Sequence, residues 1–194
     1  MRLVLSTRNE HKVRELGVLL APHEVLPLPG DVELPPETGD TFAENALVKA
    51  RAAAEATGLP AIADDSGIEA AALGGRPGVR SARYAGEHAT DEENLHKLLR
   101  EIPADGDRRV AYVCALAYVD GSEERLFEGR CEGTLAAGPR GSGGFGYDPA
   151  FLPADRDDNR TMAELSVEEK DAISHRGRAA RAFLAWLERE TQAA

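Results

Sequence analysis

Two long β-rich runs near the middle of the chain constrain its fold most. They cover residues 109–119 and 124–137, and Asp120-Gly121 lies between them. An Asp-Gly pair between two such runs is a signal for a tight hairpin turn, because such turns require residues that tolerate positive φ. The sequence therefore predicts a long β-hairpin.

Helices and shorter strands are interspersed along the rest of the chain. Capping boxes at residues 41–44 and 90–93 predict the starts of two helices. A further helix is predicted for residues 161–190, with a break near 174–177. Short strands are predicted at residues 3–5, 24–28, 61–63 and 68–73. Helices interspersed with strands, together with one long hairpin, predict an α/β fold with a mixed sheet.

Length and charge limit the classes of function. The 194 residues predict one domain or two closely joined lobes. The net charge of −11 disfavours a nucleic-acid partner, which would need a basic face. A small phosphorylated ligand remains compatible with this charge. No apolar stretch approaches the roughly 18 residues of a membrane span, and no leader is recognised. The expected location is therefore the cytoplasm, and no membrane partner is expected.

A glycine-rich run at residues 141–149, Gly-Ser-Gly-Gly-Phe-Gly-Tyr-Asp-Pro, is the most informative functional motif. Its glycines disfavour regular structure and allow the main chain to pass close to a ligand. Phe145 and Tyr147 add aromatic faces, and Asp148 adds a carboxylate. This combination suits a planar, hydrogen-bonding ligand such as a nucleobase, although it also fits a hairpin or Ω-loop around a packed Phe.

Two other segments carry groups that suit phosphate and metal chemistry. Residues 7–12, Thr-Arg-Asn-Glu-His-Lys, lie between a predicted strand and a helix capped by Asn9, where backbone N–H groups attract anions. Asp64-Asp65-Ser66-Gly67 follows a short apolar strand, and paired carboxylates there suit Mg²⁺. Since neighbouring side chains of an extended chain point to opposite faces, one aspartate should face a ligand and the other should be structural. An ordinary helix cap and a turn are the alternative interpretations.

A third segment of interest lies near the C-terminus. Lys170 precedes Ser174-His175-Arg176 by four residues. His175 can donate or accept a hydrogen bond, and the guanidinium of Arg176 presents a fork of donors to a carbonyl oxygen or a phosphate. The alternative is a helix C-terminus at which both side chains interact favourably with the negative end of the helix dipole.

Taken together and in this order, these segments resemble the inosine triphosphate pyrophosphatase family, the Ham1-like noncanonical purine nucleoside triphosphate pyrophosphatases. The resemblance covers essentially the whole chain. Further matching blocks are residues 41–46, 49–50, 73–78, 81–86 and 94–95. It implies an elongated α/β fold of two lobes with a central substrate cleft, residues 1–194 forming a single domain of two lobes.

The resemblance also implies an activity. Such enzymes hydrolyse ITP, dITP and XTP to the monophosphate and pyrophosphate with Mg²⁺, which removes these nucleotides from the pool and prevents their incorporation into DNA and RNA. They usually form homodimers. The noncanonical purine nucleoside triphosphates are thus the expected partners.

Site residues follow from the same resemblance. It implies that Asp65 is the general base and a Mg²⁺ ligand. It implies substrate contacts for Ser66 and Lys170, and a phosphate-facing role for Lys49. His175 and Arg176 would read the 6-oxo edge of the purine. The implied phosphate-binding segment consists of Thr7, Arg8, Asn9, Glu10, His11 and Lys12, and the implied base-binding loop of Phe145, Gly146, Tyr147 and Asp148.

Two positions depart from the family pattern. Arg8 stands where glycine is common, so the phosphate-binding segment carries extra charge and bulk. Relatives often have two acidic residues before Thr38-Gly39, one of them a metal ligand, and Pro36 stands in place of that acid. Either the neighbouring Glu37 is the substitute, or Asp65 and the triphosphate hold Mg²⁺ together with water molecules. The second protein ligand of Mg²⁺ is therefore the least defined part of the expected site.

Two other functions stay open at this point. A nucleotide-binding regulator without turnover would need the phosphate and base contacts but no aspartate at the reacting phosphate, so Asp65 favours an enzyme. A Maf-like pyrophosphatase would act on other modified nucleotides. The intact blocks at residues 145–148 and 174–176 favour the purine enzyme.

Overall fold

The computed structural model describes residues 1–193. Over these residues the chain forms strands and helices in an α/β arrangement, as predicted. The strands are β1 (Arg2–Leu5), β2 (Glu24–Pro27), β3 (Ala61–Ala70), β4 (Arg109–Val119), β5 (Glu124–Leu135) and β6 (Phe151–Pro153). The helices are α1 (Glu10–Leu19), α2 (Phe42–Thr57), α3 (Asp91–Glu101), α4 (Val167–Ile173) and α5 (His175–Ala193). Within residues 1–193, no helix has both the length and the apolar character that a membrane span requires.

The strands form one six-stranded sheet in the order β2-β1-β3-β4-β5-β6. β1 pairs in parallel with β2 and with β3, whereas β5 and β6 are antiparallel. The sheet is therefore mixed, as the sequence predicts. The predicted hairpin is also confirmed, because β4 and β5 are neighbours in the sheet and the Asp120 N–H donates to the carbonyl oxygen of Glu123 in the turn between them.

Local capping sets the helix boundaries that the sequence predicts. The side chain of Asn9 accepts hydrogen bonds from the first turn of α1. Thr41 and Thr90 open α2 and α3 with complete capping boxes. In each box the threonine hydroxyl accepts from the backbone N–H of the glutamate at the third helical position, and that glutamate side chain accepts from the backbone N–H of the threonine. Gly58 ends α2 with a φ of 65°, a left-handed conformation that favours glycine.

The chain divides into two compact units. The first comprises Met1–Asp65, Cys114–Gly129 and the chain from Arg176 onward. Its core is apolar side chains of β1, α1, β3, β4 and α5, among them Leu5, Leu16, Ile62, Leu116 and Phe183, all fully buried. Burial of such side chains supplies the main favourable term for folding of this unit.

The second unit comprises Ser66–Val113 and Arg130–His175. Its core contains Ile68 of β3, Leu98 of α3, Val110 of β4 and Phe151 of β6. Unit boundaries fall inside β3, β4 and β5. These strands therefore contribute residues to the core of each unit.

One strand boundary differs from the sequence prediction. The prediction that a short strand ends before Asp64 was wrong, because β3 continues through Asp64-Asp65-Ser66-Gly67 to Ala70. Gly67 serves close packing here and not a turn. A Cβ at this position would lie 2.6 Å from the carbonyl oxygen of Gly78 and would collide with the hydroxyl of Ser81.

The predicted C-terminal helix also begins later than expected. Residues 161–166 are not α-helical: Met162–Glu164 form one 3₁₀ turn, and Ser166 then caps α4 through a capping box with Glu169. The Ser-x-x-Glu spacing at this point is the local signal for the later start. The predicted break is confirmed, since α4 ends at Ile173 and α5 begins at His175.

Candidate active site

A buried carboxylate on β3 organises a cluster of charges in the first unit. Asp64 is fully buried, and its Oδ2 lies 3.0 Å from the Lys12 Nζ and 3.0 Å from the Arg176 Nη2. Burial opposes the negative charge, but Lys12 and Arg176 outweigh it and hold the pKa of Asp64 well below its usual range. The carboxylate of Asp64 is therefore held in its charged form between two cations, an environment that suits the structural member predicted for the aspartate pair.

The next residue, Asp65, lies in a different environment of the same unit. Its Oδ2 accepts a hydrogen bond from the side-chain amide of Asn45 at 2.9 Å, and the Lys49 Nζ lies 3.8 Å from its Oδ1. Burial raises the pKa of Asp65, and the negative charge of Glu37 adds to this rise. A carboxylate with a raised pKa is a stronger base than an ordinary one, so it is suited to accept a proton from water.

Lys49 connects this aspartate to the loop between β2 and α2. Its Nζ donates to Glu37 Oε1 at 2.6 Å and to the backbone carbonyl oxygen of Asp64 at 2.9 Å. Burial acts to lower the pKa of Lys49, but Asp65, Asp64 and Glu37 together outweigh it and raise the pKa. The ammonium group therefore stays charged next to two carboxylates.

Asp65 and Glu37 are the residues of this cluster that can ligate a metal ion. Both offer carboxylate oxygens, which suit Mg²⁺. Within residues 1–193, no group of three or more histidine, cysteine, aspartate or glutamate side chains is arranged to hold a metal ion. A cation at this position would therefore need further ligands from water or from a bound phosphate.

The segment at residues 7–12 forms the start of α1 in the first unit. The Asn9 side chain accepts from the backbone N–H groups of His11 and Lys12, at 2.9 and 3.3 Å, and the Asn9 N–H donates to the Thr7 hydroxyl. Glu10 and His11 are exposed. Arg8 extends away from this turn to backbone carbonyl oxygens near the end of β2.

In the second unit, a buried ion pair holds the glycine-rich loop. Asp148 Oδ2 accepts from the Lys170 Nζ at 2.8 Å and from the Phe145 N–H at 3.0 Å. The Lys170 Nζ also lies 5.1 Å from the centroid of the Phe145 ring. The N–H of Gly146 donates to Asp91 Oδ2 at 2.7 Å. These contacts fix the backbone of the loop and the ring of Phe145.

The other aromatic side chain of this loop, that of Tyr147, is not exposed at the surface. Tyr147 is buried, and its hydroxyl donates to the carbonyl oxygen of Ser81 at 2.7 Å. The ring of Tyr147 therefore anchors the loop in the core of the second unit. Phe145 is the aromatic side chain of the loop that is half-buried.

The pair His175 and Arg176 is divided between the two units. His175 belongs to the second unit, where its ring stacks on Tyr112 with centroids 4.6 Å apart and planes 13° apart. Arg176 belongs to the first unit, where it donates to Asp64 and, at 2.5 Å, to Glu15. Ser66 is half-buried at the start of the second unit's part of β3.

Sequence reasoning missed several residues of these clusters. Asn45 precedes Lys49 by four positions on α2, so one face of the helix carries both, and this spacing could have identified it. Glu15 follows Lys12 by three positions on α1, so one face of this helix carries both, and the spacing could also have identified Glu15. Tyr112 lies in an uninterrupted apolar strand, and no local signal distinguishes it from a core residue.

The chain is similar to known proteins over almost its whole length. Residues 3–186 match the model of the Ham1 family. The chain is 51% identical to a dITP/XTP pyrophosphatase of Streptomyces coelicolor, over 94% of this chain and 95% of that protein. It is 54% identical to a dITP/XTP pyrophosphatase of Symbiobacterium thermophilum, over 92% of this chain and 90% of that one. The structure superposes on that of the Staphylococcus aureus Ham1 protein with a TM-score of 0.87 and 41% identity, over 98% and 100% of the two chains.

Proposed function

The chain belongs to the Ham1 family, and from this membership and the charge clusters around Asp64 and Asp65 we propose that it hydrolyses noncanonical purine nucleoside triphosphates. The substrates are ITP, dITP and XTP, and the products are the nucleoside monophosphate and pyrophosphate. The chain is thus a hydrolase of the nucleotide pool. The observation that carries this proposal is Asp65, a buried carboxylate with a raised pKa beside Lys49.

In the proposed reaction Asp65 activates the attacking water. The water oxygen forms a bond to the α-phosphorus while the bond from that phosphorus to the oxygen bridging to the β-phosphate breaks. The proton of the water moves to Asp65, and the electron pair leaves with pyrophosphate. The hydrogen bond from Asn45 to Asp65 Oδ2 orients the carboxylate for this transfer.

The residues present fit Mg²⁺ as the cofactor. The metal ligands that Asp65 and Glu37 offer are all carboxylate oxygens. Burial is the main cause of the raised pKa of Asp65, and the negative charge of Glu37 adds to it. A bound cation would relieve the repulsion between these two carboxylates. Mg²⁺ in proteins is commonly held by one or two carboxylates together with substrate phosphates. We assign Asp65 and Glu37 as its protein ligands. When bound, Mg²⁺ offsets the charge of the departing pyrophosphate.

The triphosphate is assigned to the cations of the first unit. Lys12 and Lys49 carry ammonium groups next to the buried carboxylates of Asp64 and Asp65, and residues 7–12 present the backbone N–H groups of a helix start. Such N–H groups and lysine charges attract phosphate. Asp64 orients Lys12, so the side chain of this lysine loses little freedom when the phosphates bind.

Except for Arg176, which belongs to the first unit, the residues that we assign to the base lie in the second unit. Asp148 and Lys170 hold the loop that carries Phe145, whose ring would stack on the purine. We also assign a substrate contact to Ser66. We assign the reading of the purine O6 to His175 and Arg176, which can donate hydrogen bonds to it, whereas adenine presents a donor there. A homodimer, a substrate cleft between two lobes and a cytoplasmic location remain predictions.

Pyrophosphate release from ITP, XTP, GTP and ATP in the presence of Mg²⁺ tests the proposed function directly. We expect kcat/KM for ITP and XTP to exceed that for ATP by about 30-fold to 10⁴-fold. Adenine has an amino group at C6 and no hydrogen on N1, and each of these two mismatched positions costs about 1–3 kcal/mol. GTP shares O6 and N1–H with ITP, so it serves as the internal comparison. Equal rates on all four nucleotides would contradict the assigned base reading, and ITP binding without turnover would indicate a regulator.

Stacking by Phe145 predicts a change in binding that does not depend on the identity of the base. We expect Phe145→Ala to raise KM for ITP and for dITP alike, by about 5-fold to 150-fold, because stacking on an aromatic ring is worth about 1–3 kcal/mol per base. Steady-state kinetics on ITP, dITP and ATP measure this. A large change in the preference for ITP over ATP would instead mean that Phe145 helps to select the base.

A further inference from the structure

Arg8 makes a set of contacts that differs from those of the cations around Asp64. Its Nη1 donates to the carbonyl oxygen of Leu28 at 2.7 Å, and its Nη2 donates to the carbonyl oxygens of Pro29 and Val32 at 2.7 and 2.8 Å. Three backbone acceptors thus share one guanidinium. Since the fork of a guanidinium is planar and rigid, these contacts fix the position of the acceptors relative to α1.

The three carbonyl oxygens lie at the beginning of a long connection, residues 28–41, between β2 and α2. This connection contains no helix or strand, and Pro29, Pro35 and Pro36 have no N–H group to donate. At its far end, the Gly39 N–H donates to Asn45 Oδ1 at 2.8 Å. Arg8 therefore holds the near end and α2 holds the far end.

Glu37 lies between these two anchors. Its carboxylate reaches the Lys49 Nζ at 2.6 Å and contributes to the raised pKa of Asp65, where burial is the larger cause. The same short segment that carries Arg8 also carries Lys12, whose Nζ contacts Asp64. Arg8 thus connects the start of α1 to the loop that presents Glu37, entirely within the first unit.

We propose that Arg8 is a positioning residue that anchors the Glu37 loop and thereby sets the affinity of the site for Mg²⁺, and that it is not a phosphate ligand. This rests on the proposed function, in which Glu37 ligates Mg²⁺. It gives the two departures at positions 8 and 36 one physical basis. The acidic side chain comes from Glu37, one position after Pro36, and Arg8 holds the loop in the conformation that brings Glu37 to Lys49.

The test compares Arg8→Lys and Arg8→Gln with the wild-type protein. Lysine keeps the charge but cannot span three carbonyl oxygens, so a positioning role predicts that both variants need more Mg²⁺ by the same factor. We expect the Mg²⁺ concentration for half-maximal pyrophosphate release to rise by about tenfold in both, the effect of losing roughly one charged hydrogen bond. At saturating Mg²⁺, KM for ITP should stay within about twofold of the wild-type value.

A second readout does not depend on activity. Hydrogen exchange of the backbone amides at residues 30–34 and 37–40 should accelerate in both variants, because an anchor of this loop is lost. The control is Arg2→Gln, an exposed arginine of β1 that pairs with Glu24, and it should change neither exchange nor Mg²⁺ dependence. Exchange at wild-type rates in both Arg8 variants would overturn the proposal.

A double-mutant comparison separates anchoring from a direct phosphate contact. In a Glu37→Gln background, Arg8→Gln should add little to the Mg²⁺ requirement, since the two residues act through one loop. The proposal is overturned if Arg8→Lys resembles the wild-type protein while Arg8→Gln raises KM for ITP, because charge alone would then be what matters. If the wild-type protein releases no pyrophosphate, the proposed function fails, and hydrogen exchange still decides whether Arg8 anchors the loop.

Discussion

Replacement of Asp65 by Asn is expected to lower kcat for ITP by about 10²-fold to 10⁴-fold, the usual contribution of a general base. The amide has nearly the shape of the carboxylate but cannot accept the proton of the attacking water. Loss of a metal ligand would add to the effect. Pyrophosphate release at saturating ITP and Mg²⁺ measures kcat, and binding of ITP to the variant shows that the nucleotide is still held.

A residue of the same strand provides the control for this variant. Glu69 of β3 lies in the second unit and pairs with Arg130 at 2.6 Å, so Glu69→Gln should keep wild-type activity. Titration of the metal-free protein gives a further check. Burial raises the pKa of Asp65, so without Mg²⁺ its carboxylate should take up a proton at a pH above the ordinary aspartate value of about 3.9, whereas bound Mg²⁺ should lower that pKa. An Asp65→Asn enzyme that keeps more than half of the wild-type kcat would remove Asp65 from this role.

Local sequence signals predict the helix starts well because the interactions that make them are local. Thr41 with Glu44, and Thr90 with Glu93, are three residues apart, and each pair satisfies backbone N–H groups that any helix leaves without intrahelical partners. The same rule applied at Ser166 would have corrected the start of the last helical region. The hairpin around Asp120 is local in the same sense.

The charge clusters are harder to predict because their partners are distant in sequence. Arg176 and Asp64 are 112 residues apart, and Arg176 and Glu15 are 161 residues apart. Nothing in the spacing of either pair indicates that it meets. The continuation of β3 through Asp64-Asp65-Ser66-Gly67 was missed for a related reason, since the close approach of Gly67 to Gly78 and Ser81 is a tertiary contact that overrides the turn propensity of these residues.

Replacement of Asp64 by Asn is expected to lower the free energy of unfolding by about 3–5 kcal/mol, as when one partner of a buried ion pair is removed. Asp64 is fully buried, and the variant would leave the charges of Lys12 and Arg176 without their shared carboxylate. For a chain of this length, that loss corresponds to a fall in Tm of roughly 6–20 °C. Thermal and urea unfolding followed by circular dichroism measure both quantities.

The pH dependence separates this charge effect from a general loss of packing. The pKa of Asp64 in the folded chain is held below the unfolded value, so its stabilisation is present above about pH 4 and is lost as pH falls through the folded pKa. The difference in free energy of unfolding between Asp64→Asn and the wild-type protein should therefore become smaller as the pH falls. Glu124→Gln is the matched control, since it removes one carboxylate from an exposed pair with Arg51, and such pairs contribute about 0–1 kcal/mol. If Asp64→Asn costs no more than Glu124→Gln, Asp64 is not what holds Lys12 and Arg176, and the assignment of Asp64 as the structural aspartate fails.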